Sequence, residues 1–213
     1  MKTEIRSFAE LPILKRNDEG QETRIIEGYA VVFDSRSEYL GFYETIYKGA
    51  ITEDLIRTSD VVMCFNHDQE KILARSTNGE GTLHLTLDDH GLHFEFEVPN
   101  TTVGNDVLEL VRRGDIKGCS FAFSIDPEDE SSEHWERMED GNMHRSVFHI
   151  AGLYDTSIVI HPAYPDTDVQ ARAKAEEQKI KENEARAAEE AEAARVGALN
   201  EKYDAMLAEV DTL

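Results

Sequence analysis

The chain has 213 residues, 40% of them hydrophobic, and carries 44 acidic against 22 basic side chains for a formal charge of −22. This length allows one medium domain with an appendage or two small domains, and a surface so acidic repels nucleic acid, so no nucleic-acid partner is expected. No stretch approaches the roughly 18 consecutive apolar residues of a membrane span, the start "MKTEIRSFAELPILKRNDEG" lacks the apolar core of a secretory signal, and two cysteines, Cys64 and Cys119, build no disulfide framework and fit a reducing, cytosolic setting.

In chain order, "TRIIEGYAVVF" (23–33) alternates as a strand. A short helix is expected around 51–57, followed by the apolar run "VVMCFN" (61–66). "TLHLTL" (82–87) and "LHFEFEV" (92–98) each put their large apolar residues on one face, and "DDHG" (88–91) between them predicts a hairpin turn. Val107, Leu108 and Val111 form an apolar stripe in a helix over 102–115, with Gly114 as its stop. In "KGCSFAFSI" (117–125), Cys119, Phe121, Phe123 and Ile125 share one face, while Gly118, Ser120, Ala122 and Ser124 share the other. "HWERM" (134–138) and "VFHIAGLYDTSIVI" (147–160) complete the strands.

Past "HPAYPDTD" the composition changes to Ala, Glu, Lys and Arg without proline, a helix-forming mixture. The boundary is therefore placed at 1–165 and 166–213. Within the tail, Ile180 is the one large aliphatic residue between 171 and 195. Val196, Leu199, Tyr203, Met206, Val210 and Leu213 then follow a heptad spacing suited to docking on the domain or to a coiled-coil contact with another chain. The fold class expected is α+β, a barrel or sandwich of short strands with a long C-terminal helix.

Hydrolytic nucleophiles need a base and a group that orients the base. His67 closes the apolar run "VVMCF" in "NHD", where a strand opens into a loop and an imidazole is partly desolvated yet reachable. The other histidines sit mostly beside charged residues and read as surface groups. Ser120 lies on the small face of its strand between Gly118 and Ala122, an arrangement that also suits close packing. Asp155 interrupts the apolar run "GLYDTSIVI", so it needs a partner, solvent or a proton. His149 shares its face by period two and His161 ends the run, so either could orient the base instead. His90 and His93 with Asp88 and Asp89 could supply metal ligands, but this spacing is common in a turn and no further ligand motif accompanies it. No metal and no cofactor are expected.

In "EGYAVVF", "IYKGAI", "NHD", "DVLELVRRGDIKGCSFAF" and "LYDTSIVIHPAYPDTDV", taken in order over about residues 20–170, the chain resembles the prohead (capsid maturation) proteases of tailed bacteriophages, relatives of the herpesvirus assemblin serine proteases. The resemblance implies an assemblin-like, mainly antiparallel β-barrel and a serine endopeptidase. His67 would be the general base, Ser120 of the Gly-x-Ser strand the nucleophile, and Asp155 the third member, standing where the family pattern usually has Glu. His149 and His161 stay open for that third place, because the herpesvirus branch uses a second histidine. The family's substrates are the scaffold segment of the major capsid protein and the protease itself, cut inside the prohead in the host cytoplasm. The tail would then tether the protease to scaffold segments and be shed by self-cleavage. Two rivals remain at this point: a non-catalytic scaffolding protein acting through its tail, and a cysteine hydrolase using Cys119.

Overall fold

The computed structural model describes residues 2–8, 10–116, 118–160 and 167–210, with side chains at all of these except 167–172 and 198–210. The chain begins with β1 (Glu4–Phe8), β2 (Ile13–Arg16), β3 (Glu22–Val32) and β4 (Tyr43–Ile46). It continues through α1 (Glu53–Thr58), β5 (Asp60–Phe65), β6 (Asp68–Thr77), β7 (Glu80–Gly81), β8 (Leu83–Leu87) and β9 (Gly91–Glu97). After α2 (Thr102–Arg113) come β10 (Gly118–Ser124), β11 (Glu133–Arg137), β12 (Met143–Val147), β13 (Gly152–Val159) and α3 (Thr167–Val210). Both short helices carry local start signals. The Thr52 hydroxyl accepts the Leu55 N–H at 3.1 Å at the head of α1, and Thr101 accepts the Gly104 N–H at 3.0 Å at the head of α2. α2 stops at Gly114, whose φ of 73° is the left-handed cap that glycine adopts without strain.

The strands hydrogen-bond into a six-stranded sheet (β1-β10-β13-β5-β6-β7), a four-stranded sheet (β2-β3-β9-β8) and a three-stranded sheet (β11-β12-β4). The architecture is α+β and mostly strand; no closed barrel is found among the described strands, because β1 and β7 end one sheet while β2 and β8 end another. Alternation delivers the core. Leu83, Leu92, Phe94 and Phe96 come from the four-stranded sheet, Met63, Cys119, Phe121 and Phe123 from the six-stranded one, and all are buried in one cluster. Among the described residues no helix is long and apolar enough to cross a membrane.

The structure differs from the sequence pattern in two places near the site. The run 147–160 is two strands: β12 ends at Val147, and the connection is held by the Ile150 N–H on the Ala50 carbonyl and the Ala151 N–H on the Ser124 carbonyl, both within 2.9 Å. β1 inverts the usual rule, since Glu4 and Arg6 are its buried residues. Arg6 forks onto Glu44 (2.6 and 3.0 Å) and reaches Glu4 (2.8 Å). Arg145, with no exposed surface, meets Glu4 (2.6 Å) and Glu44 (2.8 Å) and also pairs with Glu133. Two guanidinium groups thus meet the buried carboxylates of Glu4 and Glu44 and the partly exposed one of Glu133, and such pairing is the condition under which charges tolerate burial. Burial opposes the charge on Arg145, but Glu44 and Glu4 outweigh it and push its pKa up.

The first turns of α3 seat on the domain. Ala173 is buried and Ile180 half-buried against Phe42, Met143, Leu40 and Trp135. Arg137 pairs with Glu184 at 3.0 Å. Val196 is exposed; Leu199, Tyr203, Met206 and Val210 of the heptad pattern lie outside the residues with described side chains, and Leu213 lies outside the described residues.

Candidate active site

β5 and β6 are joined by Asn66 and His67 alone, with Phe65 facing Asp68 across the close. Both linking residues have positive φ, 54° and 57°. That is the signature of the tight hairpin turn whose twist matches the strands, and Asn and His are among the few non-glycine residues that adopt it readily. Asn66 anchors the turn to β13: its N–H donates to the Ile158 carbonyl at 2.9 Å, and its side-chain oxygen accepts the Ile160 N–H at 3.0 Å. The imidazole of His67 therefore stands at a fixed place beside β13.

β13 runs between β10 and β5. Against β10 its register shifts by one residue, Ala122 facing Asp155 and Phe123 facing Leu153, so Tyr154 is the extra residue of a bulge. The Tyr154 hydroxyl reaches Ser124 Oγ at 2.8 Å. Asp155, directly after the bulge, is 6% exposed.

His67 Nδ1 lies 2.8 Å from Asp155 Oδ1, and His67 Nε2 lies 2.6 Å from Ser120 Oγ. The three residues expected from the sequence are thus brought together, from β10, β13 and the β5–β6 turn, and the isolated acid in "GLYDTSIVI" has its partner. Aspartate, shorter than glutamate by one methylene, makes the contact directly. A second acceptor faces the serine: the Arg6 carbonyl lies 2.7 Å from Ser120 Oγ. A hydroxyl has one proton to donate, so the Arg6 carbonyl and the imidazole compete for it.

The alternatives that fall among the described residues make other contacts. His149 lies in the 148–151 connection, 3.4 Å from Asp129; its period-two relation to Asp155 fails because no single strand joins them. His161 lies outside the described residues. Cys119 faces the core, and burial, reinforced by the negative charge of Glu10, pushes its thiol far up. Cys64 is buried on β5, pushed up to about 11 by burial and then by the charge of Asp155. His144 departs from the surface reading: it is buried on β12 with its Nε2 3.0 Å from Thr45 Oγ1. Asp88 spends its carboxylate on Tyr29 (2.6 Å) and the His90 and Gly91 N–H groups of its own turn. Among the described residues no three His, Cys, Asp or Glu side chains converge as a metal site.

Residues 12–183 match the family model of the caudovirus prohead serine proteases. The chain belongs to that family. Among solved structures it is similar to the capsid assembly protease gp21 of bacteriophage T4, at 12% identity and a TM-score of 0.47, over 74% of this chain and 97% of that one. No curated protein matches the chain. In this prohead protease the matched stretch starts after β1 and runs through the docked residues Ala173 and Ile180 of α3.

Two groups beside the site escaped the sequence reading. Arg6 touches Ser120 through its backbone, which no side-chain pattern signals. Ser157 donates to Asp155 Oδ1 at 3.1 Å; the spacing "DTS" puts the two on one strand face, and that was the available signal. Chemically, an imidazole held between a carboxylate and a hydroxyl can accept the hydroxyl proton at Nε2 while its Nδ1–H stays on the carboxylate.

Proposed function

We propose that this prohead protease is a serine endopeptidase with Ser120 as nucleophile, His67 as general base and Asp155 as the group that orients the base and stabilises its cationic form. The observation that carries the reading is the single imidazole spanning Ser120 and Asp155, at 2.6 and 2.8 Å. His67 takes the Ser120 proton as Oγ attacks a peptide carbonyl, then delivers it to the leaving amine; water repeats the cycle on the acyl-enzyme. The substrates are the scaffold segment of the major capsid protein and the chain itself, cut inside the prohead. Residues 1–165 form the proteolytic unit, and the tail of 166–213, whose helix α3 packs on that unit through Ala173 and Ile180, is the tether to scaffold helices.

The test is a comparison of wild type, Ser120→Ala and Asp155→Asn after expression, by gel and intact mass. Spontaneous trimming is expected in wild type, absent in Ser120→Ala, and slowed by about 10⁴ in Asp155→Asn, where the amide favours the wrong imidazole tautomer. Trimming that persists in Ser120→Ala would overturn the assignment. If no version is trimmed while removal of the tail beyond about residue 170 still impairs prohead assembly, the scaffolding reading takes its place.

A further inference from the structure

Asp155 Oδ1 accepts two hydrogen bonds, one from His67 Nδ1 at 2.8 Å and one from Ser157 Oγ at 3.1 Å. Ser157 has no exposed surface, so no bulk water competes for its hydroxyl. It sits at the centre of the arrangement, facing Ser120 on β10 and Cys64 on β5. A carboxylate rotates through a broad, shallow torsion and does not hold one oxygen toward a partner unaided. A second donor on the same oxygen selects the rotation that presents Oδ1 to the imidazole.

We propose that Ser157 is a positioning residue, whose hydroxyl locks the Asp155 carboxylate in the orientation that holds His67. It touches neither substrate nor reacting atoms; it acts through Asp155. The inference rests on the triad reading above. A hydroxyl with a merely structural role would be needed for packing or for capping backbone. This one is spent on the oxygen that binds the imidazole.

The test uses the full chain and a fluorophosphonate probe, in which Ser120 Oγ bonds to phosphorus, fluoride leaves and His67 takes the hydroxyl proton, so no natural substrate is required. Ser157→Thr and Ser157→Val have nearly the same volume and differ in the donor. Labelling is expected to slow about tenfold in Ser157→Val and Ser157→Ala at an unchanged half-saturating probe concentration, and to stay within about threefold of wild type in Ser157→Thr. The proton resonance of the His67 Nδ1–H should keep its position in Ser157→Thr and move in Ser157→Ala. The proposal is overturned if Thr and Val label alike, if the loss lies wholly in probe binding, or if the resonance is the same in all. Ser120→Ala, run in parallel, separates the two readings. Label that survives there, or a wild type that takes none, removes the triad and leaves Ser157 to the resonance. Label lost there but indifferent to residue 157 removes the role of Ser157 alone.

Discussion

Asn66 and Ile160 are joined across 94 residues of sequence by one hydrogen bond, from the Ile160 N–H to the Asn66 side-chain oxygen. With the Asn66 N–H on the Ile158 carbonyl, it fixes the hairpin that carries His67 to the end of the strand that carries Asp155. The separation of the His67 imidazole and the Asp155 carboxylate is therefore set by the backbone and side chain of Asn66, and the two side chains need only complete it.

Asn66→Ala removes the acceptor and puts a poorer residue at φ 54°. The hydrogen bond is worth about 1 kcal/mol and the left-handed conformation about 1–2 kcal/mol, so a loss of about 2–3 kcal/mol is expected in urea denaturation. Asn66→Gly restores the conformation without the acceptor and should lose less. Equal losses in the two variants would mean that backbone conformation is not part of the effect.

Arg145→Met leaves Glu4 and Glu44 with Arg6 as their remaining guanidinium partner in a buried setting. Breaking such a cluster from one side is expected to cost about 3–5 kcal/mol. Adding Glu44→Gln, which removes one of the uncompensated buried negative charges, should recover part of it. A double variant no more stable than the single one would show that charge balance is not what the cluster requires.

Asp129 is held at a pKa of about 2 by the Ser131 and Ser132 hydroxyls and the Ser131 N–H. A folded-state pKa below the unfolded one gives stability that is present above the unfolded value of about 3.9 and is lost as pH falls through the folded one. The Asp129 carboxyl carbon should titrate by NMR with a midpoint near 2, and the Ser131 and Ser132 amide shifts should follow that midpoint. In Asp129→Asn these amides should not titrate over the same range. A midpoint near 4 would show that the turn does not hold the carboxylate.

Cys119 is buried on the face opposite Ser120, with its thiol pushed up by burial and by Glu10. The thiolate is the reactive form, so iodoacetamide should modify native Cys119 far more slowly than the unfolded chain, and Cys119→Ala should keep its proteolytic activity within a few-fold. Activity lost in Cys119→Ala but kept in Ser120→Ala would transfer the nucleophile to the thiol.

The sequence was most readable where each residue does what its polarity suggests. β8 and β9 alternate cleanly because one face meets the core, and α2 carries its own cap, stripe and stop. β1 was unreadable because its charged residues point inward, into a cluster completed by Glu44 and Arg145 far along the chain. β6 was missed because "DQEKILARST" is largely exposed and polar. At the site, His67, Ser120 and Asp155 each stood out locally, but local pattern left Ser124 equal to Ser120 and His149 equal to Asp155. What separates them is the bulge at Tyr154 and the break between β12 and β13, features of strand pairing that one strand's sequence does not express.

The position of β13 in its sheet has a consequence for timing. Ser120 lies on β10 and His67 on the turn after β5, the two neighbours of β13 in the sheet, and β13 is the last of the described strands in chain order. Until residues 152–159 have left the ribosome, β10 and the β5–β6 hairpin have no shared neighbour in the sheet, and the acid is not yet present. A nascent chain at that stage carries the serine and the histidine without the strand that lies between them. The pairing of β13 with β10 on one side and β5 on the other brings the serine, the histidine and the acid together in one step.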